Sequence, residues 1–496
     1  MNKNASKIFL CLSIVPVFLY AGSSTTFASN AYECKSTTLI ELYTNECEEC
    51  PACPPAEACQ AGFSCQPNEI INPITTPGEC ASFLAEYRNP EQHKLPANRV
   101  YPMGQKMMLT AWLGKSAGDL EKMKQHGFTM QGPEWNTMNL NYLDTAISKG
   151  LRSAHRIIDG PTNAHELKKV YKDGKQEAMF RNLRSRVRKI TQVPKYNNNV
   201  DIWLTGVEEL STHIGDGDWD VTLAVATDYL KRLKQIVKEE DPQQRPLWMS
   251  DVTGVQQSKM LVTQQYLDML GPQVYLGRIN PVGRGYTTDA VMGSIARTIV
   301  STAQELDSRY PGKYKRASTA SLDALYEPIS SRDGAENISR IVEHWMYLGF
   351  NNGLQGYQFY AWNNYTGGAY ADTQTWNWWR YAYYKHVKRL TDNKLDYAYL
   401  WGDRRSDLDM KIVSGPATTH GYPSISMQNI QYGKDRFVVL TNSADSAVQV
   451  EVSGFPKNCV KTLDIRTGKD LPNNGAVSLI LQPLDVRLFR FFSVTR

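Results

Sequence analysis

Beyond about residue 100 the apolar residues alternate between two patterns: short continuous runs, and longer stretches in which they return every three or four positions. The first pattern is that of buried strands and the second that of amphipathic helices, so their alternation predicts βαβ units around a parallel sheet. Strands are predicted at Lys106–Trp112, Gly127–Gly132, Leu151–Ile158, Val200–Gly206, Arg245–Ser250, Gln273–Gly277, Arg316–Leu322 and Gly353–Trp362. Between them the spacing predicts a helix ending at His126-Gly127, Asn141–Lys149 with Gly150 as C-cap, and a long basic helix before the fourth strand. Further helices are predicted at Asp220–Glu240, Gln257–Leu270, Thr288–Arg309 and Asn337–Phe350. Eight such repeats over about 300 residues predict a (β/α)8 TIM barrel. The competing fold is an open doubly wound sheet, against which stands the lack of a glycine-rich phosphate loop after the first strand.

After an aromatic-rich helix at Thr375–Leu390 the pattern changes to short alternating strands separated by Gly, Asn, Asp and Pro. Ile425–Ile430, Arg436–Thr441, Val448–Val452, Val460–Asp464, Val477–Leu481 and Val486–Phe492 predict an all-β sandwich or barrel. Four parts are therefore expected: a leader at 1–31, a cysteine-rich segment or tether at 32–97, the α/β barrel at 98–395, and the β-sandwich at 396–496.

The leader has Lys3 and Lys7 before an apolar run from Ile8 to Ala21, then Thr26-Phe27-Ala28 or Ser29-Asn30-Ala31 as a small-residue cleavage site. That is the build of a secretion signal, although a membrane anchor uses similar residues. Once it is removed no span is expected, and the chain is placed outside the cytoplasm: secreted, periplasmic or at the cell surface. Cys34, Cys47, Cys50, Cys53, Cys59, Cys65 and Cys80 crowd the next segment, with Cys459 alone near the end. Export favours a disulfide framework; the Cys47–Cys53 spacing would also suit thiolate ligation of a metal. A net charge of +5 on 496 residues is too small to suggest a nucleic-acid partner. The densest basic stretch, Arg181–Lys189, has the spacing of a solvated helix face.

Barrel active sites lie at the C-terminal ends of the strands, so the polar residues there are the candidates. Strand one ends at Trp112, strand two at Glu134-Trp135, strand three at Arg156 and Asp159, and strand four at Glu208-Glu209. Strand five ends at Asp251, strand six runs through Tyr275 to Arg278 and Asn280, strand seven ends at Asp323 with Glu327 beyond, and strand eight at Trp362-Asn363-Asn364. Carboxylates on several walls mixed with tryptophans suit glycoside hydrolysis, in which one carboxylic acid protonates the leaving oxygen and a second carboxylate attacks or activates water. Aromatic faces then stack on sugar rings. No His-Glu-x-x-His motif and no Gly-x-Ser-x-Gly elbow is present, and no metal or cofactor is expected.

Ile202-Trp203-Leu204-Thr205-Gly206-Val207-Glu208-Glu209 resembles the fourth strand of barrel glycoside hydrolases of the β-galactosidase and cellulase type. Phe437–Asn442, Leu463–Gly468 and Leu481–Leu488 resemble the β-sandwich that follows many of those barrels. The resemblance implies that Glu209 is the general acid/base, with Glu208 standing where those families carry Asn or Asp; a register one residue different would make Glu208 the catalyst. It places the nucleophile at the end of strand seven, where Asp323 and Glu327 both remain candidates.

Each candidate also has a plain structural role open to it. Glu208 and Glu209 suit a rim salt bridge, Asp251 an N-cap for the segment after Val252-Thr253-Gly254, and Trp112, Trp135 and Trp362 packing. The expectation is an exported glycosidase acting on an oligo- or polysaccharide through two carboxylates. The rival expectation is a catalytically silent barrel that binds glycans or another surface partner. Sugar, linkage, stereochemical course and oligomeric state are not set by the sequence.

Overall fold

The computed structural model describes residues 106–111, 116–132, 140–158, 160–251, 257–274, 286–311, 315–323, 334–360, 373–455, 460–471 and 475–493. Every described residue belongs to one compact unit, Asn72–Arg496. The leader, the cysteine-rich segment and Cys459 lie outside the described residues. Among the described residues no helix is long and apolar enough to cross a membrane.

The first half runs β1 (Met108–Ala111), α1 (Ala117–Gln125), β2 (Met130–Gln131), α2 (Leu140–Ser148), β3 (Arg152–Ile157), α3 (Ala164–Lys172), α4 (Gln176–Thr191), α5 (Pro194–Asn197), β4 (Val200–Thr205) and α6 (Leu223–Glu240). It continues with β5 (Leu247–Trp248), α7 (Gln257–Thr263), β6 (Met269–Leu270), β7 (Gln273–Val274), α8 (Tyr286–Arg309), β8 (Ala317–Ser318), β9 (Ala320–Asp323), α9 (Gly334–Asn351), β10 (Gly356–Tyr360) and α10 (Thr373–Asp392). A strand therefore forms within each of the eight predicted segments. Helix starts follow local chemistry: Ser116 and Asp119 make a capping box on α1, Asn163 caps α3 and Thr222 caps α6.

The predicted helix Gln257–Leu270 is shorter than expected, because α7 ends at Thr263 and Met269–Leu270 form β6. Gly271-Pro272 follows at once; the residue before proline disfavours helix, and Met269 and Leu270 gain parallel partners in Trp248, Ala317 and Ser318. Gly271 is required by packing, since a Cβ there would lie 1.7 Å from Trp248 Nε1.

Strands β2, β3, β4, β5, β6 and β8 form one parallel sheet in that order, and β1, β10, β9 and β7 another. β6 and β7 are halves of one segment, as are β8 and β9. Thr129 N donates to Leu109 O (3.0 Å), linking the β1 and β2 edges, and β10 pairs in parallel with β1, Met108 opposite Gly356. The pairings thus pass through all eight segments and return to the first, which fits a barrel.

Inside and outside follow from alternation. On β4, Ile202 and Leu204 join the core that includes the strands of the opposite wall and Trp203 packs with α4 and α6; Val200 joins Trp203 because the β3–β4 register shifts between Val200 and Ile202 and interrupts the alternation. After α10 comes α11 (Leu395–Trp401), a helix the sequence pattern did not reveal, and then strands alone. These are β11 (Asp403–Arg404), β12 (Asp409–Ser414), β13 (Thr418–Thr419), β14 (Tyr422–Pro423), β15 (Ile425–Tyr432), β16 (Asp435–Asn442), β17 (Val448–Ser453), β18 (Val460–Asp464), β19 (Lys469–Leu471), β20 (Ala476–Leu481) and β21 (Val486–Ser493). An antiparallel sheet β11-β15-β16-β21-β18-β19 and a second, β12-β17-β20, enclose Val438, Leu440, Val448, Val450, Leu481 and Phe491, as in a β-sandwich.

Helix α9 lies against this sandwich. Asn351 Nδ2 donates to Val439 O (3.3 Å), Gln428 Nε2 donates to Asn351 O (2.7 Å), and Tyr399 OH donates to Asn351 Oδ1 (2.8 Å). The apolar core of the barrel continues through Tyr347 and Phe350 into Phe437, Val439 and Leu488 of the sandwich.

Candidate active site

β4 is buried along its whole length and stops at Thr205 because Gly206 turns the chain at the barrel rim. Gly206 approaches β3 too closely for a side chain; its Cβ would lie 2.7 Å from Ile157 O. The next residues are pinned from both neighbouring strands: Glu208 N donates to Thr162 O (3.2 Å) and Glu209 N to Ser250 O (3.3 Å). Glu209 adopts φ +59°, the left-handed region that residues with a Cβ enter at a cost of about 1 kcal/mol or more.

The side chain of Glu208 turns inward and is only 8% exposed. Its Oε1 lies 2.9 Å from Nη2 of Arg156, whose own side chain is fully buried at the end of β3. Arg156 Nε also donates to Gly206 O (3.2 Å), so the guanidinium holds both the turn and the acid that follows it. Burial pushes the Glu208 carboxyl up to about 7; the neighbouring charge of Glu209 adds to the rise and Arg156 opposes it. A carboxyl with that pKa keeps its proton through much of the neutral range and surrenders it to a basic oxygen, as a general acid must.

Glu209 is the more open of the two, with its side chain 39% exposed and Oε2 3.5 Å from His213 Nε2. The other ring nitrogen of His213 lies 3.4 Å from Asp220 Oδ1.

Asp251, at the end of the fifth strand, is 1% exposed. Its carboxylate accepts from Ser211 N (3.1 Å), from Ser211 Oγ, and from Gln264 Nε2 (3.0 Å). It thus anchors the turn after Glu209 from across the strand gap.

Below the rim, part of the barrel interior is lined by polar side chains. Gln131 Nε2 donates to Ser153 Oγ, and Gln273 Nε2 to Ser250 Oγ (2.9 Å). Gln358 on β10 is fully buried, and among the described residues neither its amide nitrogen nor its amide oxygen has a hydrogen-bond partner. Its neighbours Tyr357 and Phe359 pack outward on Phe350 and Tyr383, so Gln358 faces inward.

Of the residues singled out from sequence, the structure brings Arg156, Glu208 and Glu209 together at one rim, with Asp251 adjoining through Ser211. Asp323 closes β9 in register with Tyr360 of β10, and only its backbone is described. Trp112, Glu134, Trp135, Asp159, Tyr275, Arg278, Asn280, Glu327, Trp362, Asn363 and Asn364 lie outside the described residues. Among the described residues no group of three or more His, Cys, Asp or Glu is gathered as a metal site requires. Sequence reading passed over Ser211, His213 and Gln358. Ser211 two residues and His213 four residues after Glu209, on one glycine-started turn, were the available signal for the first two.

No protein-family model matches the sequence, and neither does any curated protein. Among solved structures the chain is similar to a glycoside hydrolase family 5 protein from Bacteroides vulgatus (12% identity, TM-score 0.49, 83% of this chain and 95% of that one). It is also similar to another glycoside hydrolase (14% identity, TM-score 0.48, 81% and 96%). A third is a GH30 endoxylanase from Clostridium papyrosolvens (10% identity, TM-score 0.44, 78% and 97%).

Proposed function

We propose that this chain is an exported glycoside hydrolase that cleaves an oligo- or polysaccharide with a pair of carboxylates, and that Glu208 is its proton donor. The observation that carries the reading is the Glu208 carboxyl: at the end of a barrel strand, nearly buried, and raised to about 7. In this reading Glu208 Oε–H protonates the glycosidic oxygen as the C–O bond breaks, and a second carboxylate, Asp323 or Glu327, either attacks the anomeric carbon, the bond so formed being cleaved by water in a second step, or takes the proton of the water that attacks directly. Arg156 then steadies the Glu208 carboxylate that is left, and Glu209 keeps the resting pKa high. This shifts the acid role from Glu209, where the motif resemblance put it, to its neighbour. Trp112, Glu134, Trp135, Tyr275, Arg278, Trp362 and Asn363 are proposed to contact sugar. Arg156 and Asp251, engaged as described, are proposed to shape the rim. The proposed catalytic part spans 98–395 and the sandwich 396–496, with 1–31 removed on export and 32–97 serving as a tether.

The test is a panel of chromogenic glycosides and plant or microbial polysaccharides, with the wild type, Glu208→Gln and Glu209→Gln. The expected result is hydrolysis of at least one member and a loss of about 10²- to 10⁴-fold in Glu208→Gln, the worth of a general acid. Binding without hydrolysis across the panel would instead establish the silent, glycan-binding barrel.

A further inference from the structure

The loop joining β4 to α6 carries one more aromatic residue, Trp219, and it stands 65% exposed. An indole this open is unusual, because a large apolar ring in water gains by being covered. Trp219 does not hang on a loose loop. His165 Nδ1 lies 3.0 Å from Asp218 O, and Lys168 Nζ donates to Gly217 O (2.8 Å), tying the loop to α3 from outside. Within it, Asp220 N donates to Gly217 O (3.0 Å), Gly217 N to Asp220 Oδ2 (3.2 Å), and Val221 N to His213 O (2.8 Å). The indole leans on the His165 ring, centroids 4.6 Å apart and planes 37° from parallel. A pre-ordered ring of this kind loses little conformational freedom when a ligand covers it, which is how binding surfaces gain affinity.

We propose that Trp219 is a sugar-binding platform, a subsite distant from the bond that is cut, which takes one pyranose ring of a polysaccharide. The surroundings select that ligand over an apolar protein surface. The stretch that carries the indole is polar: Asp216 and Asp218, just before it in the chain, are exposed, and the Lys168 ammonium is held on Gly217 O, so an apolar ring stands among donors and acceptors. A pyranose has that same division, C–H bonds on a face and hydroxyls around the edge. The loop also joins the platform to the acids. His213 lies between Glu209 (3.5 Å) and Asp220 (3.4 Å), and Asp220 is the residue next to Trp219. A chain held on Trp219 would thus be held on the segment that presents Glu208 and Glu209. The glycan class rests on the proposed function; the platform itself requires binding only.

The experiment is affinity electrophoresis of the full chain through native gels containing soluble xylan, mannan, mixed-linkage β-glucan or amylose. Wild type is compared with Trp219→Ala, Trp219→Phe and Glu208→Gln, and circular dichroism melts show whether each variant folds. At least one polymer should retard the wild type, and Glu208→Gln, which should not cut it, should still be retarded. Trp219→Ala should bind that polymer roughly fivefold or more weakly, with partial recovery in Trp219→Phe, as expected for loss of a stacked ring. Equal retardation of Trp219→Ala and wild type overturns the platform, as does a wild type retarded by none of the four. Retardation lost in Trp219→Ala, in a protein that hydrolyses nothing, keeps the platform and removes the hydrolase. If the exposed indole instead joins two copies of the chain, gel filtration shows a dimer that Trp219→Ala dissociates, and the glycan proposal fails.

Discussion

Glu208 is controlled by two neighbours of opposite effect, and each can be removed separately. Burial and the Glu209 charge raise its pKa, while Arg156 lowers it. If the protonated form is the working one, kcat/KM falls as pH rises through about 7. Glu209→Gln takes away a like charge and should move that limb to lower pH; Arg156→Gln takes away an opposite charge and should move it higher. A pH–rate profile of the three proteins checks both signs, and a limb that stays fixed in both variants contradicts the assignment. The backbone of Glu209 gives a second residue-scale prediction. At φ +59° a glycine is less strained, so Glu209→Gly should gain about 0.5–1 kcal/mol in denaturant unfolding while activity falls.

At the scale of elements, α9 and α10 are bound by a buried charge cluster. Glu343 is 1% exposed and pairs with Arg389, with His386 Nδ1 (3.5 Å) and with Arg466 (3.6 Å) from the sandwich. Burial works against its ionisation, but His386, Arg389 and Arg466 outweigh that and hold it at about 2. A carboxylate depressed in this way stabilises the fold above its ordinary pKa of about 4.3, and the contribution drains away as pH falls toward 2. Glu343→Gln should cost about 1–3 kcal/mol at neutral pH, because it leaves the partly buried Arg389 and Arg466 without their buried partner while burial keeps His386 itself from charging, and should flatten the acid limb of stability between about pH 4.5 and 2. Urea unfolding at several pH values reads both effects.

Elements of this kind were readable where burial alone set the pattern. β4 is apolar because helices and barrel interior cover both faces, and α6 shows its stripe and its Thr222 cap. The sixth segment was misread at its start, since Met269-Leu270 continue a helical stripe locally and become strand only through partners far along the chain. α11 was missed because residues 395–401 are buried over most of their surface and show no amphipathic stripe. The pair Glu208-Glu209 could be found from sequence, yet which of the two faces inward depends on the left-handed turn at Glu209, and no residue type announces that.

For the whole molecule, the barrel and the sandwich share apolar core. Ile430, Phe437, Val439, Leu484, Val486 and Leu488 of the strand region belong to the same cluster as Tyr347, Phe350 and Tyr399. Cutting the chain after residue 402 would expose those helix faces to water at roughly 25 cal/mol for each Å² of apolar surface. The truncated protein should therefore aggregate or bind a hydrophobic dye. A soluble truncation that melts like the full chain would contradict the shared core.

If Glu208 gives its proton to the departing sugar oxygen, its removal must be felt most where the leaving group needs that proton. Rates of wild type and Glu208→Gln are compared on a dinitrophenyl glycoside, whose leaving group needs no protonation, and on the matching unactivated glycoside. The variant should lose less than about tenfold on the first and about 10²- to 10⁴-fold on the second. Equal losses on both substrates, or none on either, would contradict that role for Glu208.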